Sequence, residues 1–363
     1  MFYYRIAELV LQSENELSSF GYFASEPAEA DVILTKTDEI PQPGNDLYSG
    51  AIVHRATQDG FFFHSAGNDR YGLYANTEYN NLRMLGAEGS LISGMMEWYI
   101  RIALECRFIL KGYVSLHSAA VETQEGTAVA FTGPSGIGKS TRAFAWMKAF
   151  GTSLINGDRP LINVRTLELY GVPWDGKERC FRNVHYPLRT ICEVRRSASV
   201  YAREMSYLQR RKLLTRQCFI PMWDTQAASV QMINISRLAK NAEIVRVFSG
   251  PASEDVRALD SVLKKHQYYK EEQDMKAKTG FILRNVVDEF ILMPTGDNIG
   301  TFNGTVLLND VSAFVWEKLQ NPMSKDDLLK AILDEYEVDK TTASADLDAL
   351  LETLRRYGVI EED

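Results

Sequence analysis

The sequence contains few cysteines and no long hydrophobic run. Its four cysteines, Cys106, Cys180, Cys192 and Cys218, form no CxxC pair and lack metal-ligand spacing. The chain is therefore neither a disulfide-rich scaffold nor a zinc-finger protein, and we expect a reducing, cytoplasmic location. The first residues become polar too soon for a signal peptide or a membrane span, so no membrane contact is expected.

Internal repeats and low-complexity tracts are also absent. The 363 residues are 45% hydrophobic and 24% charged, which is ordinary for a globular protein of two or three domains. The net charge of -8 and the lack of a reader motif argue against a nucleic-acid partner.

Charge is unevenly distributed along the chain. From Lys276 to the end, 9 basic residues face 17 acidic ones, whereas Lys177 to Arg216 carries 11 basic and 3 acidic residues. Two solvated faces of different charge would explain this pattern. Alternatively, the basic segment binds phosphates or an acidic peptide, or docks on the acidic tail.

The stretch AVAFTGPSGIGKSTRAF predicts a buried strand, a glycine-rich loop and the start of a helix. It fits the phosphate-loop pattern G-x-x-x-x-G-K-[ST] at every fixed position. The loop amides and the helix dipole would bind the phosphates of ATP or GTP, while Lys139 reaches the β- and γ-phosphates and Ser140 holds Mg²⁺. The predicted nucleotide-binding residues are Gly133, Pro134, Ser135, Gly136, Ile137, Gly138, Lys139, Ser140 and Thr141.

Two residues near this loop are candidates for chemistry. His117 lies in the apolar run Tyr113–Val121, which predicts a strand beside the one that feeds the loop. Asp158 ends a short hydrophobic strand 19 positions beyond Lys139, where it could bind Mg²⁺ or take a proton from the acceptor. The loop that begins at Trp174 has two interpretations. Asp175 in it is a further metal ligand, or the loop is a tight turn in which the Trp174 indole packs against the protein.

The remaining pattern sets the expected domains. Residues 1–95 predict a β-rich subdomain packed on a nucleotide-binding domain of residues 96–265, which begins with a helix at Met95–Leu110. Within that domain we expect a helix over Tyr201–Cys218, strands at 227–236 and 242–248, and a helix from Ser253. Residues 266–278 form a polar linker, and 279–363 form a third domain.

His117, GPSGIGKS and LINGD together resemble the catalytic domain of HPr kinase/phosphorylase over about residues 110–265. That family has a phosphate-loop fold related to phosphoenolpyruvate carboxykinase and phosphorylates a serine of a carrier protein. The resemblance implies an α/β kinase domain using ATP and Mg²⁺, with Asp158, His117 and Lys139 as catalytic residues. Asp158 would be the base, and His117 would assist or orient it.

This chain also departs from the family pattern. Gly157 stands where the family has the first of two aspartates, Ser118 replaces a glycine, and the phosphorylase signature is not recognisable. The identity of the base, the reverse phosphorylase reaction and HPr as the substrate therefore remain open.

The last 85 residues predict three strands followed by three amphipathic helices, a winged-helix-like module without a catalytic constellation. LLNDVSAFVWEKL, LLKAILDEYEVD and LDALLETLRRYGVI are similar to PqqD. PqqD-like domains recognise precursors of ribosomally synthesised, post-translationally modified peptides by adding the leader as a strand. The resemblance implies a leader site at Gly304, Thr305, Val306, Leu307, Leu308, Leu347, Leu350, Leu351 and Leu354.

The two resemblances together imply a kinase for a precursor peptide, of the lasso-peptide tailoring kind, that phosphorylates Ser or Thr. One alternative is an ATP-binding adaptor that delivers a precursor to another enzyme. Another is a kinase of a carrier protein or a small metabolite. Binding of other maturation enzymes and homo-oligomer formation are left open.

Overall fold

The computed structural model describes residues 1–362 with short gaps. The gaps are residues 40–45, 49–51, 58, 67, 88, 93, 175, 177–179, 181, 270–274, 287–288, 301 and 303–305. The chain divides into two compact units, Met1–Lys270 and Glu271–Asp363. Of the expected site residues, Asp175, Gly304 and Thr305 lie outside the described residues.

The first unit begins with a β-rich region, as the sequence predicts. Its ten strands are β1 (Phe2–Ile6), β2 (Leu9–Ser13), β3 (Glu16–Leu17), β4 (Val32–Thr37), β5 (Asp46–Tyr48), β6 (Ile52–Thr57), β7 (Gly60–Ser65), β8 (Asn68–Asn76), β9 (Asn81–Leu85) and β10 (Leu91–Ile92). Eight of them form one sheet in the order β1-β2-β4-β9-β8-β7-β6-β5, and β3 pairs with β10.

Helix α1 (Met95–Leu110) follows this sheet and shares a core with it. Met96, Tyr99 and Phe108 lie in the same buried cluster as Phe63 and Leu73 of the sheet. The expected boundary at residue 95 is therefore not a break in the packing.

A second, ten-stranded sheet follows α1 in the chain. Its strands are β11 (Tyr113–Ser115), β12 (Ser118–Glu122), β13 (Ala128–Thr132), β14 (Leu154–Asn156), β15 (Leu161–Asn163), β16 (Glu168–Tyr170), β17 (His185–Arg196), β18 (Tyr201–Glu204), β19 (Ile244–Ser249) and β20 (Tyr268–Tyr269). Its helices are α2 (Lys139–Phe150), α3 (Tyr207–Gln217), α4 (Thr225–Asn241) and α5 (Ser253–Lys264). Strands β13, β17 and β19 are parallel neighbours, and β12 runs antiparallel to β13.

Side-chain alternation on β13 divides the apolar packing of this sheet into two clusters. Val129 and Phe131 belong to a cluster with residues of α2 and α5, such as Trp146. Ala128 and Ala130 belong to another cluster that contains residues of α3 and α4. Because β13 is covered on both sides, its sequence is apolar at nearly every position.

The run Tyr113–Val121 forms two strands and not the single strand that its sequence predicts. Three consecutive backbone N–H groups donate to three different segments: Leu116 to Pro160 O, His117 to Gln217 O and Ser118 to Asp158 O. His117 therefore lies at the junction of β11 and β12, where the chain changes partners.

Two other predictions are wrong in the segment between Tyr201 and Asn241. Residues 227–236 belong to helix α4 and are not strands, because Asp224 caps that helix by accepting bonds from Gln226 N and Ala227 N. The expected helix over Tyr201–Cys218 is divided into β18 and α3, since Ser206 and Gln209 form a capping box that starts α3.

The second unit has a three-stranded sheet and three helices, as predicted. Its elements are β21 (Met275–Ala277), β22 (Phe281–Val286), β23 (Glu289–Pro294), β24 (Val306–Leu308), α6 (Asp310–Lys318), α7 (Lys325–Glu335), α8 (Lys340–Arg356) and β25 (Ile360–Glu362). The sheet order is β22-β23-β24, and β21 pairs with β25. Asn309, Ser324 and Asp339 cap the three helices.

The polar segment 266–278 is not a linker over its whole length. Tyr268–Tyr269 pairs with β18 of the first unit. Met275 and Ala277 are buried in the core of the second unit, where they pair with Glu362 and Ile360. In the described parts of the chain, no helix has the length and apolar character needed to span a membrane.

Candidate functional site

The predicted phosphate loop connects β13 to α2. Gly133, Gly136 and Gly138 have φ angles of 139°, 77° and 104°, a region that favours glycine. A Cβ at residue 138 would lie 2.8 Å from Arg142 Nη1, so a larger residue there would displace the guanidinium. The helix that follows has 12 residues, so its N-terminus brings a substantial dipole to the loop.

Lys139 is folded back onto this loop. Its ammonium donates to Gly133 O at 3.0 Å and to Pro134 O at 3.3 Å. Burial lowers the pKa of Lys139, the Asp158 carboxylate opposes that shift, and Arg159 adds to it. Lys139 and Asp158 are therefore within electrostatic reach of each other, although 19 residues separate them in the chain.

Arg142 ties the loop to the ends of two strands. Its buried guanidinium donates to Gly138 O at 3.3 Å, to Arg195 O at 3.3 Å, and to both oxygens of Ser249. The P-loop motif does not specify this arginine. A basic residue two positions after the motif serine was the only sequence signal available.

A cleft of about 500 Å³ lies beside the loop. Gly138, Thr141 and Arg142 line one side of it, and Arg196, Ser197 and Gly250 line the other. Arg196 also donates to Gly136 O at 2.8 Å. The cleft is thus open, cationic on both sides and next to the start of α2.

Asp158 follows β14 and is held by its own turn. The buried Asn156 side chain accepts from Asp158 N at 3.0 Å and from Arg159 N at 2.8 Å, and it donates to Trp174 O at 3.0 Å. The backbone carbonyl of Asp158 accepts from Ser118 N. These bonds fix the position of the Asp158 backbone.

The structure brings His117 and Asp158 together. His117 Nε2 is 3.8 Å from Asp158 Oδ1, and Arg101 Nη2 is 3.7 Å from Asp158 Oδ2. Burial, with Lys139 and Arg159, lowers the pKa of His117, while Asp158 and a bond with Gln217 oppose that shift. His117 is therefore a neutral imidazole at pH 7, beside a carboxylate that already has a cationic partner.

Sequence reasoning missed Arg101 because the apolar periodicity of its helix, α1, does not single it out. Arg101 Nε is 3.6 Å from Glu105 Oε2, and Glu105 Oε1 accepts from Ser115 Oγ at 2.5 Å. The Arg101 guanidinium also lies 5.9 Å from the Trp174 ring. The available signal was charge at i and i+4 within a buried helix, at Arg101 and Glu105.

Glu193 is a second carboxylate near the loop. It lies on β17 in register with Thr132, the last residue of β13, whose hydroxyl donates to His117 O. Its two oxygens accept from Arg195 at 2.8 Å and Arg246 at 2.7 Å. Glu193 is buried and doubly ion-paired.

Some described arginines of the basic segment Lys177–Arg216 are held by contacts within the first unit. Arg182 and Arg189 form ion pairs with Glu122 and Asp260. Arg203 lies over the rings of Tyr201 and Phe248. These contacts use part of the positive charge that the sequence suggested for phosphates or an acidic peptide.

These residues fit a bound nucleotide with Mg²⁺. The loop glycines carry no side chains that would cover the loop backbone, and Ser140 is the second residue of α2, next to Lys139. Among the described residues no three His, Cys, Asp or Glu side chains form a metal cluster. Mg²⁺ bound with nucleotide needs only one or two protein oxygens, because phosphates and water complete its shell, and Ser140 and Asp158 are the candidates.

The second unit contains an apolar groove of about 440 Å³ between β24 and α8. Of the predicted peptide-binding residues, Leu307, Leu308, Leu347 and Leu350 line it. The others described, Val306, Leu351 and Leu354, are buried in the core beneath it. In the described sheet, β24 is an edge strand, so it has one side available for pairing.

Comparison with known families identifies this unit. Residues 289–360 match the family model of coenzyme PQQ synthesis protein D (PqqD). The C-terminal unit contains a PqqD domain. The match includes β23, β24 and all three helices, so the resemblance inferred from the sequence is confirmed for this part of the chain.

Solved structures similar to the chain include two peptide complexes. One is TbiB1 in complex with the TbiA(β) leader peptide, with 24% identity, a TM-score of 0.21, and coverage of 24% of this chain and 94% of that one. The other is lasso peptide synthetase B1 complexed with the leader peptide, with 23% identity, a TM-score of 0.21, and coverage of 24% and 98%.

No curated protein gives a significant match to the chain. The mixed α/β architecture and the PqqD domain agree with the sequence analysis. The HPr kinase-like assignment of the first unit and its enzymatic activity stay predictions.

Proposed function

We propose that the protein is an ATP-dependent kinase that transfers the γ-phosphoryl group to a Ser or Thr hydroxyl of a ribosomally synthesised precursor peptide. The leader of that peptide binds the PqqD domain. The observation that carries the proposal is the Asp158 carboxylate, which lies 3.8 Å from His117 and within electrostatic reach of the loop lysine.

The nucleotide half of the proposal rests on the loop. Backbone amides of Gly136 to Ser140 and the Lys139 ammonium stabilise negative charge on the phosphates. Lys139 leaves the carbonyls of Gly133 and Pro134 to do this. The cleft at Thr141 and Arg196 has room for the nucleoside. Mg²⁺, when bound, would neutralise further charge at the phosphates, and Ser140 would hold it directly and Asp158 through water.

Asp158 is the proposed general base. Its turn is fixed by Asn156, so the carboxylate is held in position before the acceptor arrives. Arg101 Nη2 lies 3.7 Å from Asp158 Oδ2, which leaves the other carboxylate oxygen to accept the hydroxyl proton. Because its pKa is lowered, His117 orients Asp158 as a neutral imidazole and does not form a second full ion pair with the carboxylate.

The peptide half of the proposal rests on the PqqD domain and its groove. An extended leader that pairs with the edge of β24 gains main-chain hydrogen bonds, and its side chains enter the groove at α8. This holds the acceptor at high local concentration near the kinase unit.

Intact-mass measurement tests the proposal. The protein, ATP, Mg²⁺ and a precursor peptide encoded near its gene are incubated, and a gain of one phosphate on the peptide is expected. Lys139→Ala is the matched negative control. If the precursor gains no mass although nucleotide binds, the chain transfers nothing and the adaptor hypothesis replaces the kinase one.

A further inference from the structure

The groove of the PqqD domain is apolar inside and acidic at its rim. We propose that the peptide segment it binds carries a Lys or Arg beside its apolar anchor residue, and that Asp346 selects for this cation. The inference rests on the proposed function, which makes the groove a leader site, and adds the chemistry of the leader.

The inside of the groove sets the apolar part of the ligand. Val311 and Val315 of α6, Ile332 of α7, and Leu347 and Leu350 of α8 line it. At the strand side, Leu307 is 62% exposed on the edge strand β24. An extended peptide beside β24 would therefore bury an apolar side chain between the strand and α8.

The rim of the groove is negatively charged. Asp346 is exposed and is the one charged side chain among the described residues that line it, which include no Lys, Arg or His. Tyr336, another lining residue, has a raised pKa because of burial and the carboxylates of Glu335, Asp310 and Glu317. Asp346 in the lining thus has three further carboxylates near Tyr336, another lining residue.

Two nearby lysines are already used elsewhere. The Lys318 ammonium lies 4.8 Å from the Phe314 ring centre. Lys325 Nζ donates to Asp348 Oδ2 at 2.7 Å. Because the described lining contains no positive side chain, Asp346 is open to an ion pair with a cation of the ligand. The negative charge of Asp346 would also repel acidic peptides, which gives the site selectivity.

Selection from a displayed library of random 12-residue peptides on the full chain tests the inference. For the unsubstituted protein, Lys and Arg should be enriched over Asp and Glu beside the apolar anchor. With Asp346→Lys the preference should reverse to Asp and Glu. Glu352→Lys is the matched control, because it makes the same charge change on the same helix at an exposed residue outside the groove lining.

A selected peptide then gives the size of the effect. Asp346→Asn should weaken its binding about threefold to fivefold at low ionic strength, and the difference should shrink at high salt. Equal enrichment of both charges, or the same shift with Glu352→Lys, overturns the role of Asp346.

Leu350→Asp separates this outcome from failure of the proposed function. It places a carboxylate in the apolar wall and should abolish binding of selected peptides, with circular dichroism used to check that the domain remains folded. Loss of binding without any cation preference refutes only the present inference. Binding that survives Leu350→Asp refutes the groove as the peptide site.

Discussion

At the scale of single residues, the candidate active site depends on how one carboxylate is supported. Asp158 contacts a neutral imidazole on one oxygen and a guanidinium on the other, and Asn156 holds its backbone. Gly157 removes the second aspartate that the resemblance implies. Arg101 and Glu193 show that charge around the loop comes from α1 and β17 instead, although Glu193 is already paired with two arginines.

Replacing the proposed base gives the first prediction. Asp158→Asn keeps the size of the side chain but cannot accept the hydroxyl proton, so kcat should fall about 100-fold or more. Nucleotide affinity, measured by titration with a fluorescent ATP analogue, should change far less. Glu254→Gln, at an exposed position in the first turn of α5, is the control and should leave kcat unchanged. An Asp158→Asn enzyme with full activity would remove the residue from catalysis.

His117 gives a prediction about pH. Burial and the nearby cations lower its pKa below 6.5, the ordinary value, so the unfolded chain binds a proton that the folded chain does not. Stability should therefore fall as the pH drops below about 6.5, down to the lowered pKa of the folded state. His117→Gln should make this loss shallower when Tm is measured from about pH 8 to 5. Parallel curves for the two proteins would show that His117 does not titrate in this way.

At the scale of elements, the phosphate loop is supported by residues outside its motif. Arg142 on α2 reaches the carbonyl of Gly138 in the loop and the ends of β17 and β19. A change in the position of either strand end is therefore transmitted to the loop through one guanidinium. This link also explains why the cleft beside the loop is lined by Arg196 and Gly250, residues at the ends of those strands.

Arg142→Lys tests that link. Lysine cannot form the planar fork that contacts both strand ends, so the Kd for ATP should rise about tenfold, which corresponds to about 1.4 kcal/mol. Arg189→Lys is a suitable control, because Arg189 forms an ion pair with Asp260 and no bond to the loop. Titration of both variants with the same ATP analogue decides the matter. An equal loss of affinity in the two would mean that Arg142 acts only through general stability.

At the scale of the whole molecule, the chain combines two units with separate cores. The first unit carries the loop and Asp158, and the second contains a PqqD domain. A division of labour follows for the proposed kinase: the first unit determines the rate of transfer and the second determines which peptide is presented.

Removing residues 271–363 tests this division. The truncated chain should show a KM for the precursor about tenfold or more above that of the full chain, with a smaller change in kcat, because tethering is lost while the chemistry is retained. A short acceptor peptide without leader should be phosphorylated equally by both chains. An unchanged KM for the precursor would show that the PqqD domain does not recognise it.

Several of these features were readable from the sequence because they are local. The glycine-rich loop between β13 and α2, the helices α1, α2 and α5 and the PqqD domain all follow from short-range pattern, capping residues and periodicity. The same reasoning failed at residues 227–236, where an apolar run suits either a strand or a helix. There the chain forms a helix that Asp224 caps. The Asp224 side chain is itself held by the hydroxyl of Tyr79, which donates to it from 145 residues away in the chain.

What the sequence determined by itself was the strand, glycine-rich loop and helix at residues 128–150, the order of most elements and the nature of the C-terminal domain. Only the tertiary structure decided which side chains meet Asp158. His117, Arg101 and Lys139 come from three separate segments, and their approach depends on how β12 and α2 pack against β14 and how α1 packs against β11. These contacts join residues that are far apart in the chain. They depend on burial and on the point between β11 and β12 where the backbone changes its hydrogen-bond partners, and no short sequence pattern encodes either.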